Sequence, residues 1–143
     1  MTPNEARSKM MLRLLNSGVI AQDRIDFDNG ESFNKPTSGA WMRMTIRFNG
    51  EVRVNLGGEG VQTKFTEYGI ATVQVFTTLN EGEYTNDELA RQVRDLFRKK
   101  RDDGLYYGGV PAGGEVRIAT IGRDGAWYGS NVVVPFWFES CAV

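Results

Sequence analysis

A glycine-rich segment, VNLGGEGVQTKF at residues 54–65, carries three glycines in four positions and a lysine soon after them. Glycines and a lysine can cradle a phosphate when a strand precedes them and the N-terminus of a helix follows. Here the apolar pattern after the glycines is strand-like, and Lys64 does not stand in a Gly-Lys-Ser/Thr motif. We therefore expect no nucleotide site. Two interpretations stay open: a flexible, hairpin-like excursion at 57–67, or an arm that orders against a neighbouring subunit with Phe65 as its anchor.

Pairs of acidic residues, Asp26 with Asp28 and Asp102 with Asp103, are the residue types that hold a metal or act as acid and base. Neither pair stands in a calcium-loop pattern, and loop solubility explains both. The chain has no histidine, which removes Ser-His-Asp and Cys-His catalysis and the zinc sites that contain histidine. Cys141 has no neighbouring cation to activate its thiol. We expect a protein that is not an enzyme and that has no catalytic, metal or cofactor site.

Basic residues concentrate in RKKR at 98–101, and Arg91 and Arg94 extend the same flank. Such a flank can contact phosphates, but no aromatic residues interleave with it, as a stacking platform requires. The 17 basic and 18 acidic residues leave a formal charge of -1, which argues against a protein that coats nucleic acid. We expect a solvated helix terminus that the helix dipole stabilises, with a charge-paired protein interface as the second interpretation.

The length of 143 residues and the 41% of apolar residues predict one globular domain, residues 1–143. No apolar run reaches the ~20 residues that cross a bilayer. Charges interleaved with the apolar residues of the N-terminal segment predict no signal peptide. The single cysteine fits a reducing compartment. We expect no membrane partner.

Hydrophobic periodicity predicts two helices and several strands, with two long loops. In chain order these are an N-terminal helix at 3–17, a long loop at 21–40, a hairpin at 41–56, a strand at 70–76, a helix at 86–100, a glycine-rich loop at 102–115, and C-terminal strands at 116–121 and 131–138. This order predicts an α+β fold: a mostly antiparallel sheet of about four to five strands with two helices packed on one face.

Capping signals predict where both helices begin. Thr2 and Glu5 have the spacing of a capping box, with Pro3 at the first helical position. Thr85 or Asn86 is expected to cap the second helix, since acidic residues follow in its first turn.

Two positions predict irregular strands. A two-residue Asn49-Gly50 loop would set Phe48 opposite Glu51 and place a charge on the buried face of the hairpin. We therefore expect a three- or five-residue loop, or a bulge, and favour the odd-numbered loop. Pro135 has no N–H and predicts that the last strand lies at a sheet edge or at a bulge.

Aromatic residues exceed what a single-layer sheet can bury, because both faces of the last strand are apolar. Exposed apolar patches mark partner surfaces. The pattern therefore favours assembly with other proteins. The residues concerned are Trp41, Tyr106, Tyr107, Phe136, Trp137 and Phe138.

The order of these segments resembles the tail terminator (tail completion) proteins of long-tailed bacteriophages. The resemblance rests on the strand WMRMTIRF, the VNLGGEG turn, a glycine before IATVQVF, a helix with ELARQVRDLF, and a closing aromatic strand. It covers residues 33–138 and is sharpest at the LGG turn and the VQVF passage.

The resemblance implies a structural function without catalytic residues. Members of that family form a hexameric ring that caps the finished tail tube, ends its polymerisation and offers its other side to the head connector. The expected partners are copies of the chain itself, the tail tube protein and the head connector, with DNA passing through the lumen without specific binding. The expected location is the virion tail or neck, after assembly in the host cytoplasm.

The residues expected at subunit or partner interfaces come from the glycine-rich turn, the helix flank and the aromatic strands. They are Gly57, Gly58, Gly60, Lys64, Phe65, Arg91, Arg94, Arg98, Tyr106, Tyr107 and Trp137. Other hypotheses stay open: another head–tail connector or tail-ring component, a nucleic-acid-binding module that uses the basic flank with Lys99, or a small enzyme built on carboxylates or on the two tyrosines.

Overall fold

Half of the chain is in strands, and the strands form one sheet that curves like half of a barrel. The computed structural model describes residues 1–27, 33–54, 63–79 and 82–142. Within these ranges it has the helices α1 (Pro3–Leu15) and α2 (Gly82–Phe97), a 3₁₀ turn at Gln22–Arg24, and the strands β1 (Ile25–Phe27), β2 (Trp41–Arg53), β3 (Thr63–Thr78), β4 (Arg101–Asp102), β5 (Leu105–Tyr107), β6 (Arg117–Asp124) and β7 (Trp127–Ala142).

The sheet is mixed, with the order β1-β2-β3-β7-β5-β4 and with β6 beside β7. β1 pairs with β2 in parallel, with Ile25 opposite Met42. The other pairs are antiparallel, and the longest joins β3 to β7 from Thr63 opposite Ala142 to Thr78 opposite Trp127.

The predicted α+β architecture, with four to five mostly antiparallel strands and two helices packed on one face, is wrong. The described residues form a seven-stranded mixed sheet bent into a half-barrel, with only two helices. The missed strands β1, β4 and β5 have only two or three residues each. So short a segment shows no alternation of apolar and polar residues, and its pairing partner is supplied by the tertiary structure. They lie in or beside the segments interpreted as loops, 21–40 and 102–115.

The hairpin predicted at 41–56 is also wrong. β2 continues through Asn49 and Gly50, and the register with β3 shifts between Phe48 and Gly50. A bulge takes the place of the favoured odd-numbered loop, and it turns Glu51 to the same side of the sheet as Phe48, where the Glu51 side chain is exposed. β2 instead pairs with β3, up to Arg53 opposite Phe65, so the connection between them lies in 55–62, outside the described residues. The assignment of 1–143 as a single domain stays a prediction.

Pro135 lies in the middle of the sheet, which contradicts the expected edge or bulge. β7 has β3 on one side and both β5 and β6 on the other. The pairing with β5 begins at Phe136, and the pairing with β6 ends at Val133. Pro135 therefore stands in the gap between β5 and β6, where no strand requires its N–H. Its carbonyl oxygen accepts a hydrogen bond of 2.6 Å from the backbone N–H of Gly108.

The core lies between the helices and one side of the sheet, which we call the inner face. The capping box predicted for Thr2 and Glu5 is confirmed, and it starts α1 so that one stripe of the helix is buried. The main buried residues are Ala6, Met10 and Leu14 of α1, Ala90, Val93 and Phe97 of α2, and Met42, Met44, Val73, Val75, Val132, Val134, Phe136 and Phe138 of the sheet.

Asn86 connects α2 to the two central strands and does not cap the helix, because α2 already begins at Gly82. Its buried amide nitrogen donates hydrogen bonds to the carbonyl oxygens of Val75 at 3.1 Å and Tyr128 at 3.0 Å. Its amide oxygen accepts a hydrogen bond of 2.5 Å from the hydroxyl of Ser130. Since a buried amide is stable only when its hydrogen bonds are made, this side chain fixes the position of α2 on the sheet.

Replacing Asn86 with Ala should lower the free energy of unfolding by about 1–3 kcal/mol, because the buried hydroxyl of Ser130 and two carbonyl oxygens would lose a partner. Urea unfolding monitored by circular dichroism measures this. Gln92→Ala on the exposed side of the same helix is the control and should change the stability little. Equal stabilities for the two variants would contradict the role given to Asn86.

Gly69 lies where β3 comes too close to the backbone of β2 and to an aromatic ring for any side chain to fit. A Cβ at this position would collide with the carbonyl oxygen of Arg47 and would lie 2.7 Å from the ring of Phe136. Phe136 in turn packs edge-on against Phe48, with ring centroids 5.5 Å apart. The missing side chain of Gly69 thus provides the space for this ring.

Gly69→Ala should destabilise the protein by about 1–3 kcal/mol through overpacking. The matched control is Gly129→Ala on β7, where the nearest atom to an added Cβ lies 3.8 Å away. Thermal unfolding of both variants measures the difference. A Gly69→Ala variant as stable as the Gly129→Ala variant would contradict this, because it would show that β2 and the Phe136 ring can move away from the added methyl group without loss of stability.

Candidate functional site

The side of the sheet opposite the core, here called the outer face, is not covered by either of the described helices. Arg43, Thr72 and Val133 project to this side, because each alternates along its strand with buried inner-face residues. Most of its side chains are partly or fully exposed. The outer face is therefore the part of the fold that remains available for a partner.

The aromatic residues expected at the surface are largely buried inside the chain. Phe136 and Phe138 belong to the core, and Tyr107 is only 4% exposed. Trp41 projects to the outer face, yet it is only 2% exposed. The expectation of an aromatic surface was wrong for these four residues. Phe136, Phe138 and Tyr107 pack into the core cluster, and other aromatic rings enclose Trp41.

Trp41 is enclosed by a cluster of aromatic rings. Phe76 stacks on it with ring centroids 4.3 Å apart, and Phe33 stacks on it at 5.6 Å. Trp127, from the start of β7, contacts it edge-on at 6.1 Å. The strand register brings these three rings together, because Trp41 lies opposite Phe76 in β3 and Trp127 lies opposite Thr78, two residues further along β3.

Two cations lie against these rings. The ammonium nitrogen of Lys35 lies 5.5 Å from the ring centroid of Trp41 and 5.1 Å from that of Trp127. The guanidinium of Arg43 lies 5.2 Å from the ring of Trp41, and its Nε donates a 3.0 Å hydrogen bond to Asp26. Cations over an indole face gain about 0.5–2 kcal/mol, which fixes both side chains at this place.

Together these residues surround a cavity of about 580 Å³, which we call the aromatic pocket. Gln74, Ile121 and Asp124 complete its lining with the turn between β6 and β7. The indole nitrogen of Trp41 is buried and has no hydrogen-bond partner in the described part of the chain. A buried donor without a partner is uncommon in folded proteins and calls for an explanation.

At the other end of the sheet, β2 and β3 form what we call the arm, residues 48–54 and 63–68. Glu51 lies directly opposite Glu67, and both share the inner face with Phe138. Val52 and Val54 are about half exposed. Of the predicted interface residues, Lys64 is exposed here and Phe65 is half-buried, whereas Gly57, Gly58 and Gly60 lie outside the described residues.

The remaining predicted interface residues lie in two further places. Tyr106 and Trp137 stack on the outer face with ring centroids 4.4 Å apart. Arg91 and Arg98 are exposed on α2, while Arg94 is half-buried and bonds Asp95 at 3.1 Å. Hence the structure joins two of the predicted aromatic residues in one stack, and it places the arginines on a different element from the arm.

Between the predicted strands, the glycine-rich loop presents an apolar tip. Gly109 and Gly114 form a bridge that closes a tight turn, and Val110 at its end is 94% exposed. Sequence analysis missed this residue. It also missed Lys35, Glu51 and Glu67, whose proximity to other groups depends on the β2–β3 register and on the path of residues 33–40.

The buried face of β5 takes part in an ion-pair network with α1. Arg13 donates two hydrogen bonds of 2.7 Å to the carboxylate of Asp102, and Tyr107 donates one of 2.5 Å. Arg13 also donates to the carbonyl oxygen of Leu96 at 2.9 Å. A single side chain therefore ties α1 to the end of α2 and to the β4–β5 hairpin.

The network shifts the pKa values of its members. Burial raises the pKa of the Tyr107 hydroxyl, and its hydrogen bond to Asp102 raises it further, so it remains a donor. Burial opposes ionisation of Asp102, but the hydrogen bonds from Arg13 and Tyr107 outweigh this and lower the pKa of the carboxyl below its usual value. The network is structural, since each of its polar groups already has a partner within the chain.

The described residues contain no group of three or more His, Cys, Asp or Glu side chains placed to hold a metal ion. Among the described helices, none has the length and apolar character to cross a membrane. The surfaces of the described residues that remain available for a partner are thus the outer face with its aromatic pocket, the arm, and the loop tip at Val110.

A family model of phage tail terminator proteins matches residues 15–128, most of the chain. The chain belongs to the phage tail terminator family. This confirms the resemblance found in the sequence. The family is structural rather than catalytic, and its members are components of the phage tail.

A search of solved structures supports the fold. One solved protein chain superimposes with a TM-score of 0.66 at 15% sequence identity, over 96% of each chain. At this identity the likeness concerns the fold alone. No curated protein sequence matches the chain.

Asp102→Asn should reduce the free energy of unfolding at pH 7 by about 1–2 kcal/mol, since the charged hydrogen bonds are partly exposed to solvent. Because the pKa of Asp102 is lower in the folded state, its pairing stabilises the fold above the unfolded pKa of about 3.9 and is lost as the pH falls through the folded value. The stability difference between wild type and variant should therefore shrink below about pH 4.

Urea unfolding at a series of pH values tests this. Asp103→Asn is the matched control, because its side chain is 93% exposed and pairs with Lys9 only at 3.6 Å. A difference for Asp102→Asn that stays constant down to acidic pH would contradict the lowered pKa.

Proposed function

We propose that copies of this chain form a ring, a hexamer, that caps the tail tube, ends its polymerisation and provides the docking surface for the head connector. DNA passes through the lumen without specific binding. Assembly takes place in the host cytoplasm, before the finished ring becomes part of the tail or neck of the virion. The observation that carries the proposal is membership of the tail terminator family over residues 15–128.

The surfaces that one subunit leaves open support its association with further copies. A ring requires a heterologous interface, in which two different surfaces of the same subunit meet. The arm and the aromatic pocket lie at opposite ends of β2 and are two such surfaces. In β2, the residues after Met44 have β3 on one side and no described strand on the other, where β1 has already ended. Charged residues along this edge, such as Arg47 and Arg53, discourage unspecific pairing and leave room for a specific neighbour.

Two surface features, one half-buried and one exposed, suit different partners in the tail. The Tyr106–Trp137 stack presents flat apolar area on the outer face, and Val110 presents a single apolar tip at the end of a closed turn. With the predicted residues Lys64, Phe65, Arg91, Arg94 and Arg98, these are the contacts that we assign to neighbouring subunits, tube and connector. Tyr107 is omitted, because its hydroxyl bonds Asp102 and its ring packs against Phe97 at 5.0 Å.

Adding the purified chain to polymerising tail tube protein should stop elongation and leave a ring at one end of each tube. Negative-stain images give the tube lengths and the end structure, and native mass spectrometry gives the number of subunits in the ring. An unrelated protein of similar size serves as the control. Tubes that grow equally long with and without the chain would overturn the proposal.

Labelling the chain in intact particles distinguishes a terminator from another neck component. A label between the tube and the connector agrees with the proposal. A label confined to the head side of the connector would identify the chain as a different head–tail joining protein.

A further inference from the structure

We propose that the aromatic pocket of one copy binds the inner face of the arm of the next copy, with Lys35 and Arg43 of the pocket paired to Glu51 and Glu67 of the arm. The inference rests on the proposed ring and specifies the contact that closes it.

The pocket has donors without acceptors. Lys35 forms no ion pair in the described ranges, and Arg43 uses only its Nε in the bond to Asp26. The buried indole N–H of Trp41 also has no hydrogen-bond partner among the described residues. All three groups bind oxygen atoms, and two of them are cationic. A carboxylate is the ligand that meets both requirements, and the aromatic walls exclude water and strengthen its attraction to the cations.

The arm has acceptors without donors. Glu51 and Glu67 are directly opposite each other on neighbouring strands, an arrangement that destabilises a sheet when both are charged. Neither carboxylate forms an ion pair with any residue that the structure describes. Cations from another molecule would remove this repulsion. Phe65, two residues from Glu67 and on the same face of β3, is half-buried and supplies apolar area that such a contact would bury.

The two features cannot meet within one subunit. Trp41 and Glu51 belong to the same strand and are separated by about 30 Å, at ~3.3 Å per residue. They also lie on opposite sides of the sheet: the pocket is on the outer face and the acidic pair is on the inner face. One copy can therefore lay the inner face of its arm over the outer face of the next copy. The contact joins unlike surfaces, as a closed ring requires.

The pocket is less suited to nucleic acid. Phe33 and Phe76 both stack on the Trp41 ring, and Lys35 lies over Trp127, so both indoles of the pocket already have partners that a stacking base would have to displace. A second copy of the chain is the occupant that the charges favour.

Charge reversal tests the contact. The Lys35→Glu variant should associate at least about tenfold more weakly than the wild type, and so should the Glu51→Lys/Glu67→Lys variant, because each places like charges across the interface. An equimolar mixture of the two should recover part of the association, since the carboxylate introduced at position 35 can then face the lysines introduced at positions 51 and 67, while each unchanged arm meets an unchanged pocket. A single chain that carries all three substitutions should also recover.

Ring formation is measured by native mass spectrometry and analytical ultracentrifugation, both in free solution and on tail tubes. The controls are Lys99→Glu and Glu83→Lys/Glu88→Lys on the exposed side and end of α2, which make the same charge changes elsewhere. Circular dichroism and urea unfolding show whether each variant is folded. Controls that weaken association as strongly as the test variants would overturn the proposal.

The outcomes separate this contact from the proposed ring. A wild-type chain that stays monomeric, both free and on tail tubes, overturns both. A wild-type ring with variants that associate normally, or that fail to recover in the mixture and in the combined chain, overturns only the pairing of arm and pocket. If Lys35→Glu leaves association unchanged but weakens binding to single-stranded DNA, the pocket is a nucleic-acid site and the inference is wrong.

Discussion

The antiparallel pairing of β3 with β7 determines most of the molecule. Each strand has 16 residues, and the two are in register over their full length. Because side chains alternate between the faces, this one register places Val73 beside Val132 on the inner face and Tyr68 beside Trp137 on the outer face. A shift by one residue would exchange the two faces and would bury Thr72 and Gln74 beneath the helices. The separation of a packed side from an open side follows from this register.

Polar groups then fix the helices on the inner face. Asn86 holds α2 against the two central strands, and Arg13 holds α1 against the β4–β5 hairpin. Both side chains satisfy several partners at once, so each allows only one position of its helix. Apolar packing alone tolerates several arrangements, whereas a buried polar network is stable only when its geometry is met. The outer face remains open to a partner because neither of the described helices covers it.

A tail terminator requires surfaces rather than a reactive centre. The chain has no histidine, and the coupled charges around Asp102 join secondary-structure elements. The groups that we assign to neighbouring molecules are instead distributed along the sheet: the cations of the aromatic pocket at one end, the carboxylates of the arm at the other, and the Tyr106–Trp137 stack on the outer face. Such a distribution suits a protein that contacts several neighbours.

Local sequence signals were sufficient to predict the features that depend on neighbouring residues. The capping box of Thr2 and Glu5 needs only a spacing of three residues, and the order of the larger segments led to the correct family. The parity of the residues around Asn49-Gly50 predicted an irregularity there, but the sequence did not show that β2 continues through it with a bulge. The tertiary structure alone decided the seven strands and the mixed sheet, because β1, β4 and β5 are too short to show a period and gain their hydrogen bonds from distant strands. It likewise decided that Trp41 and Phe138 are buried and that Glu51 meets Glu67, since burial and pairing arise from residues far apart in the chain.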